Sequence, residues 1–160
     1  MPRRASTIHP LDWITIGFAV CILSLFAVAS LATANEANKT GTLEVVVTNL
    51  ESDEGYLVIA VLNSAAQYDA GDEMFRSNAK VPIKNGTARI TFEGLPFGSY
   101  AVKTFHDENA NGELDTNFVG FPKEGFGFSN NAMGKFGPPS FEQTRFEFAS
   151  ESLRIEIKSS

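Results

Sequence analysis

Five residues at the mouth of a long irregular stretch have the types and spacing to hold a cation. Asp107, Asn109, Asn111, Glu113 and Asp115 alternate through HDENANGELDTN, residues 106–117, around Gly112. The pattern reads D-x-N-x-N-G-x-x-D. Calcium takes hard oxygen ligands, and alternate positions of a tight loop aim such oxygens at one point. Asp107, Asn109, Asn111 and Asp115 would supply side chains and Glu113 its backbone carbonyl. Gly112 permits the reversal, and Leu114 is expected to turn back toward the core. In the helix-loop-helix calcium pattern a bidentate Glu closes the loop at position twelve, where this chain has Phe118. With two carboxylates in the set, the expected affinity is weak, about 10⁻⁴ to 10⁻³ M. The same residues also suit a metal-free turn, in which Asp and Asn side chains bond to their own backbone.

Catalytic chemistry is limited by inventory. The chain has two histidines and one cysteine, and His9 and Cys21 both fall in the first 34 residues. Beyond them only His106 remains, which removes Cys-His catalysis and any His/Cys zinc site. No serine sits in a G-x-S-x-G elbow. Paired carboxylates drawn from Asp107, Asp115, Glu124 and Glu142 could serve a carbohydrate-active enzyme. Acidic residues in polar loops are usually just solvated, so the expectation is a protein that is not an enzyme. His106 reads as a strand-end side chain bonded at the loop mouth rather than as a pH latch.

Downstream, residues 123–141 (KEGFGFSNNAMGKFGPPSF) mix glycine with aromatics, and Pro138-Pro139 stiffens the return. Phe126, Phe128 and Phe136 could form an apolar platform for an unknown protein or carbohydrate ligand. Alternatively, the same rings cover one open end of the core.

These residues must be positioned by strands, because the periodicity after residue 41 is two. Leu43, Val45 and Val47 alternate with Glu44, Val46 and Thr48, and Tyr56–Leu62 (YLVIAVL) is apolar on both faces, as in a central strand. Residues 64–77 are irregular, with Tyr68, Met74 and Phe75 as anchors and room for a helical turn. KVPIK and TARITFE flank Asn85-Gly86, a type I′ hairpin signal. SYAVKTFH follows, and Phe146–Phe148 and Leu153–Ile157 read as a closing hairpin. About seven strands and no clear helix predict an all-β domain. The expected fold is an immunoglobulin-like or transthyretin-like Greek-key sandwich, with a small barrel as the alternative. The loop 107–140 is too long and too rich in phenylalanine to be a solvated linker.

The N-terminus reads as a targeting segment. Arg3 and Arg4 precede the apolar run Ile14–Leu31, and Ala32-Thr33-Ala34 follows. That layout predicts a signal peptide over 1–34, or an uncleaved membrane anchor at 14–31. A disordered lead-in, 35–41, and a domain over 42–160 follow. The expected location is periplasmic or secreted, with the membrane touched only through that anchor. Removing Arg3, Arg4 and Asp12 from 13 basic and 19 acidic residues leaves 11 and 18, a net charge of −7. Such a domain has no basic patch for nucleic acid. It also has no cysteine, so packing alone must hold it together.

GLPFGSYAVKTFHDENANGELDTNFVGFPKEGFGFSNNAMGKFGPPSFEQTRFEF, residues 94–148, resembles the bacterial family filed as domain of unknown function 2141. The likeness runs from TLEVVVTNL to the final strand and is most specific at HDENANGELDTN, PKEGFGFSNNA and FGPPSF. It implies a small exported protein with an immunoglobulin-like sandwich and brings no catalytic residue. More loosely, the loop resembles calcium loops of surface-protein sandwich repeats and β-propellers, in which Asp107, Asn109, Asn111 and Asp115 fall at ligand positions.

Overall fold

Alternation of apolar and polar residues produces two sheets here. The structure, a computed structural model, describes residues 39–70 and 79–160. The expected leader 1–34, most of the lead-in, Met74 and Phe75 lie outside the described residues. Among the described residues nine strands run: β1 (Thr40–Thr48), β2 (Tyr56–Leu62), β3 (Ala79–Val81), β4 (Ile83–Lys84), β5 (Thr87–Pro96), β6 (Gly98–Asp107), β7 (Phe126–Phe128), β8 (Phe146–Phe148) and β9 (Ser152–Lys158). In the same described residues two short helices interrupt them, α1 (Ala65–Asp69) and α2 (Phe141–Thr144), with a 3-10 turn at Ser129–Asn131. The lead-in ends earlier than its sequence suggests, since Thr40 and Gly41 already pair with Pro96 and Leu95.

One sheet has the order β4-β5-β1-β9, and the other β3-β2-β6-β7, with β8 added to the start of β6. β1 is antiparallel to β5 and parallel to β9. The inward residues of both sheets form one core. Leu43, Val45 and Val47 of β1 share it with Leu57, Ile59, Tyr100, Val102, Phe148 and Ile157. Burying each large side chain stabilises the fold by about 1.5–3 kcal/mol. The architecture is therefore an all-β, two-sheet sandwich.

The second sheet is covered on its outer face as well. Ala60, Leu62, Ala101 and Phe128 pack there with Tyr68 of α1, and Phe126 and Phe141 close over them. Ser64 caps α1 by accepting the Gln67 N–H, and the Tyr68 hydroxyl donates to the Pro139 carbonyl at 2.9 Å. This second layer explains why YLVIAVL is apolar on both faces.

One expected strand and one expected hairpin are corrected, while the Asn85-Gly86 hairpin itself forms between β4 and β5. KVPIK is not one strand: β3 pairs with β2, β4 pairs with β5, and the chain changes sheet at Pro82. Proline has no N–H for a ladder, so pairing breaks there. Nor do the last two strands form a hairpin, because β8 joins β6 while β9 lies beside β1. Between them Phe148 is fully buried, edge-on to Phe97 and Tyr100, with ring centroids 5.6 and 6.3 Å away. The strand total exceeds seven because KVPIK divides into β3 and β4 and because β7 lies inside the long loop.

The Asn85-Gly86 turn adopts the expected positive φ angles, 52° and 67°. Asp53 clamps it from the β1–β2 connection, accepting both backbone N–H groups at 2.8 Å. Those bonds, Gly86 first and Asn85 second, hold its carboxyl below the usual value of 3.8.

Candidate functional site

β6 ends at Asp107, paired with Tyr56 of β2, so the first residue of the polar loop is held by the sheet. His106, just before it, is fully buried. Its Nε2 lies 2.8 Å from the Glu54 carbonyl, and its Nδ1 lies 3.6 Å from a Glu108 oxygen. It is thus bonded at the loop mouth.

Asp107 is 0% exposed. Its Oδ2 accepts the Gly112 N–H at 2.9 Å and faces Lys80 Nζ at 3.5 Å. Its Oδ1 is buried without a hydrogen-bond partner. Gly112 reaches its position with φ of 84°, a region glycine enters without steric cost. Ala110 sits at φ 59°, where a side chain is strained.

The remaining residues interlock. Asn109 Oδ1 accepts the Asn111 N–H at 3.0 Å, and Asn111 Oδ1 accepts the Glu113 N–H at 2.7 Å. Asn109 Nδ2 donates to Asp115 Oδ2 at 2.7 Å, and Asn111 Nδ2 lies 3.5 Å from Asp115 Oδ1. The structure thus brings Asp107, Asn109, Asn111 and Asp115 into one hydrogen-bonded loop, while the Glu113 side chain is exposed. Among the described residues no three His, Cys, Asp or Glu side chains gather as a metal centre. Any ion here would depend on amide and carbonyl oxygens beside the carboxylates of Asp107 and Asp115.

Two residues that hold the loop were not assigned to it from sequence, where Glu124 stood only among the candidate paired carboxylates. Glu124 is 6% exposed and spans the loop, its two oxygens accepting the N–H groups of Glu108 at 3.1 Å and Asp115 at 2.9 Å. Lys80, on β3, brings an ammonium to Asp107 and lies 5.7 Å from the Tyr56 ring centroid. Neither belongs to a local motif, so no short-range signal could have found them.

Beyond Asp115 the chain makes a narrow finger. Thr116 bridges to Pro122, and Lys123 N–H donates to the Asp115 carbonyl at 2.8 Å. Asn117 organises the tip, its side-chain oxygen accepting the N–H groups of Val119 and Phe121, each at 3.0 Å. This bonded tip displays Phe118, Val119 and Phe121 at 100%, 60% and 68% exposure. Phe118, at the closing position of the calcium pattern, therefore points into solvent.

The three phenylalanines of the expected platform separate. Phe128 is buried in the outer layer and Phe126 half-buried against it, their rings 5.9 Å apart and edge-on. Phe136 is fully exposed, and Met133 is largely so. The segment between is anchored by Ser129, whose hydroxyl accepts the Val102 N–H and donates to the Thr144 carbonyl.

No curated protein and no solved structure matches the chain. A family model described as an uncharacterized protein conserved in bacteria matches residues 45–156, a span covering both sheets, the polar loop and the finger. On that match the chain belongs to the bacterial family DUF2141.

Proposed function

We propose that this protein is an exported, non-catalytic binding module with a calcium-braced loop at one end of an immunoglobulin-like or transthyretin-like Greek-key sandwich. The basic-apolar-small order of residues 1–34 supports export to the periplasm or beyond. The observation that carries the calcium reading is Asp107 Oδ1, a fully buried carboxylate oxygen with no hydrogen bond. A bare buried oxygen is costly, and a cation supplies what the protein withholds. Asn109 and Asn111 each use one lone pair of Oδ1 on a backbone N–H, and a second remains for a ligand. Asp115 and the Glu113 carbonyl complete the set. The partner surface is the finger bearing Phe118 and Phe121, together with Phe136. Exposed aromatics on a hydrogen-bonded scaffold suit a protein or carbohydrate partner, since rigid rings lose little entropy on binding.

Thermal melts in calcium and in chelator test this reading. Calcium at ten times its dissociation constant should add about 1.4 kcal/mol of stability. That raises the melting temperature by about 4–8 °C, and Asp107→Ala should abolish the rise. Identical melts in calcium and chelator would discard the metal.

A second reading has a specific observation behind it. Asn109, Asn111 and Asp115 already satisfy one another, and Lys80 provides a positive charge at Asp107. The module is then a metal-free envelope scaffold. Lys80→Met separates the two: it tightens calcium if the metal reading holds, and only destabilises the fold if the scaffold reading holds.

A further inference from the structure

The finger that leaves the polar loop carries no charge along its length. Residues 116–122 read TNFVGFP, with Asp115 and Lys123 at the base. The tip presents Phe118, Val119 and Phe121 to solvent. Apolar side chains gathered on a projecting turn are unfavourable in water, and a patch of this kind marks a contact surface.

The backbone of the tip narrows what that contact is. The Phe121 carbonyl accepts the Asn117 N–H at 2.8 Å, and the Asn117 carbonyl accepts the Gly120 N–H at 2.9 Å. The Asn117 side-chain oxygen takes the N–H groups of Val119 and Phe121. Pro122 has no N–H to satisfy. Four of the five backbone donors from Asn117 to Phe121 are therefore occupied within the finger. A sugar needs polar groups set beside the ring that stacks on it, and these donors are already engaged. A stable protein interface covers about 800 Å² on each side. Two rings of about 150–250 Å² each, with one valine, fall short of that. A lipid surface favours what the tip has: apolar side chains, no charge and few unpaired backbone donors. The charge of the domain selects the lipid. With a net charge of −7 over residues 35–160, anionic headgroups repel it and zwitterionic ones do not.

We propose that the finger dips Phe118, Val119 and Phe121 into the surface of a zwitterionic bilayer, a membrane contact separate from the anchor expected at 14–31. The proposal rests on the reading of the finger as the partner surface and gives that surface lipid as its partner. The expected depth is shallow, about 5–10 Å, at the boundary of headgroups and acyl chains.

Residues 35–160 serve for the test. Thr40–Ser160 is a compact unit by itself and supplies every residue of the core. The one tryptophan of the chain, Trp13, is then absent. Phe118 is fully exposed, so Phe118→Trp removes no packing and makes the tip its own reporter. With phosphatidylcholine vesicles brominated on the upper acyl chain, its fluorescence should shift to the blue and be quenched. Adding Phe121→Ser should lower the vesicle partition about tenfold. Adding Phe136→Ser should leave it unchanged, since that phenylalanine stands next to Lys135 and outside the uncharged stretch. Mixing in an equal amount of phosphatidylglycerol should weaken the partition. A Phe118→Trp signal indifferent to brominated lipid overturns the proposal and returns the tip to a protein partner. So does a partition that Phe121→Ser leaves intact, that Phe136→Ser lowers as much, or that phosphatidylglycerol strengthens. The melts in calcium and chelator are independent of this readout. A calcium response that persists while quenching fails removes the lipid alone and leaves the calcium-braced module standing.

Discussion

Asp53 and Asp107 perform the same local task in two parts of the molecule. Each carboxylate accepts the backbone N–H of a glycine held at positive φ, Gly86 in one case and Gly112 in the other. They differ in what is left over. Asp53 stands in solvent and uses both oxygens on one turn. Asp107 is buried, spends one oxygen on its turn and leaves the other bare. A satisfied exposed carboxylate is a fastener, and its work is finished when the turn is made. A buried one with spare capacity has been desolvated without full compensation, which marks the loop as the place where a ligand could contribute.

The largest expected effect contrasts the two residues directly. Asp107→Ala removes the partner of Gly112 and Lys80 inside the fold and should cost about 2–4 kcal/mol in urea unfolding. Asp53→Ala should cost clearly less, because water replaces an exposed acceptor. Equal losses would erase the distinction. Next comes Glu124→Ala, which strands the N–H groups of Glu108 and Asp115 and should cost about 1–3 kcal/mol. Hydrogen exchange should show the finger at 116–122 losing protection in the same variant; a finger that keeps it is not held by Glu124. Ala110→Gly relieves a strained backbone at the loop and should stabilise by about 0.5–1 kcal/mol, net of the added freedom of the unfolded chain. A loss instead would mean that the Ala110 methyl group matters more than its φ.

The smallest effect is in acid. The Asp53 carboxyl is held below 3.8 in the folded state, so its contribution is fully present above that pH. It is lost as pH falls from 3.8 through the lower folded value, when the turn loses its acceptor charge. Melting temperatures of Asp53→Asn should therefore decline less steeply than wild type below about pH 4.

Local physics was legible in the sequence. Asn85-Gly86 announced its turn because only a few residues tolerate two positive φ angles in succession. YLVIAVL announced a strand covered on both faces because no polar residue interrupts it. The turns made by Asn109 and Asn111 were legible too, since such Asx bonds reach only two residues along the chain. What stayed hidden is decided at a distance. Pro82 looks like a blemish in a strand, and only the second sheet shows that the chain crosses over there. Glu124 finds the Glu108 N–H across 16 residues, and no spacing rule joins them. Phe118 and Phe128 are the same residue, each with glycine and another phenylalanine close by in sequence. Pairing of β7 with β6 buries one, and a turn around Asn117 exposes the other.

The parallel pairing of β1 with β9 bears on how the molecule comes to be made. Asn49, just past β1, bonds the Ser159 carbonyl 110 residues away, beside the ladder that joins Thr42 to Ser152. β1 therefore lacks one of its two neighbours until nearly the whole domain has been translated. Such long-range closure is slow, in the millisecond-to-second range that non-local β topologies occupy. During that interval the chain has no completed sandwich to resist being threaded through a narrow channel. On the export proposed above, a polypeptide that is extended while it crosses a membrane gains from a topology in which β9 is the latch.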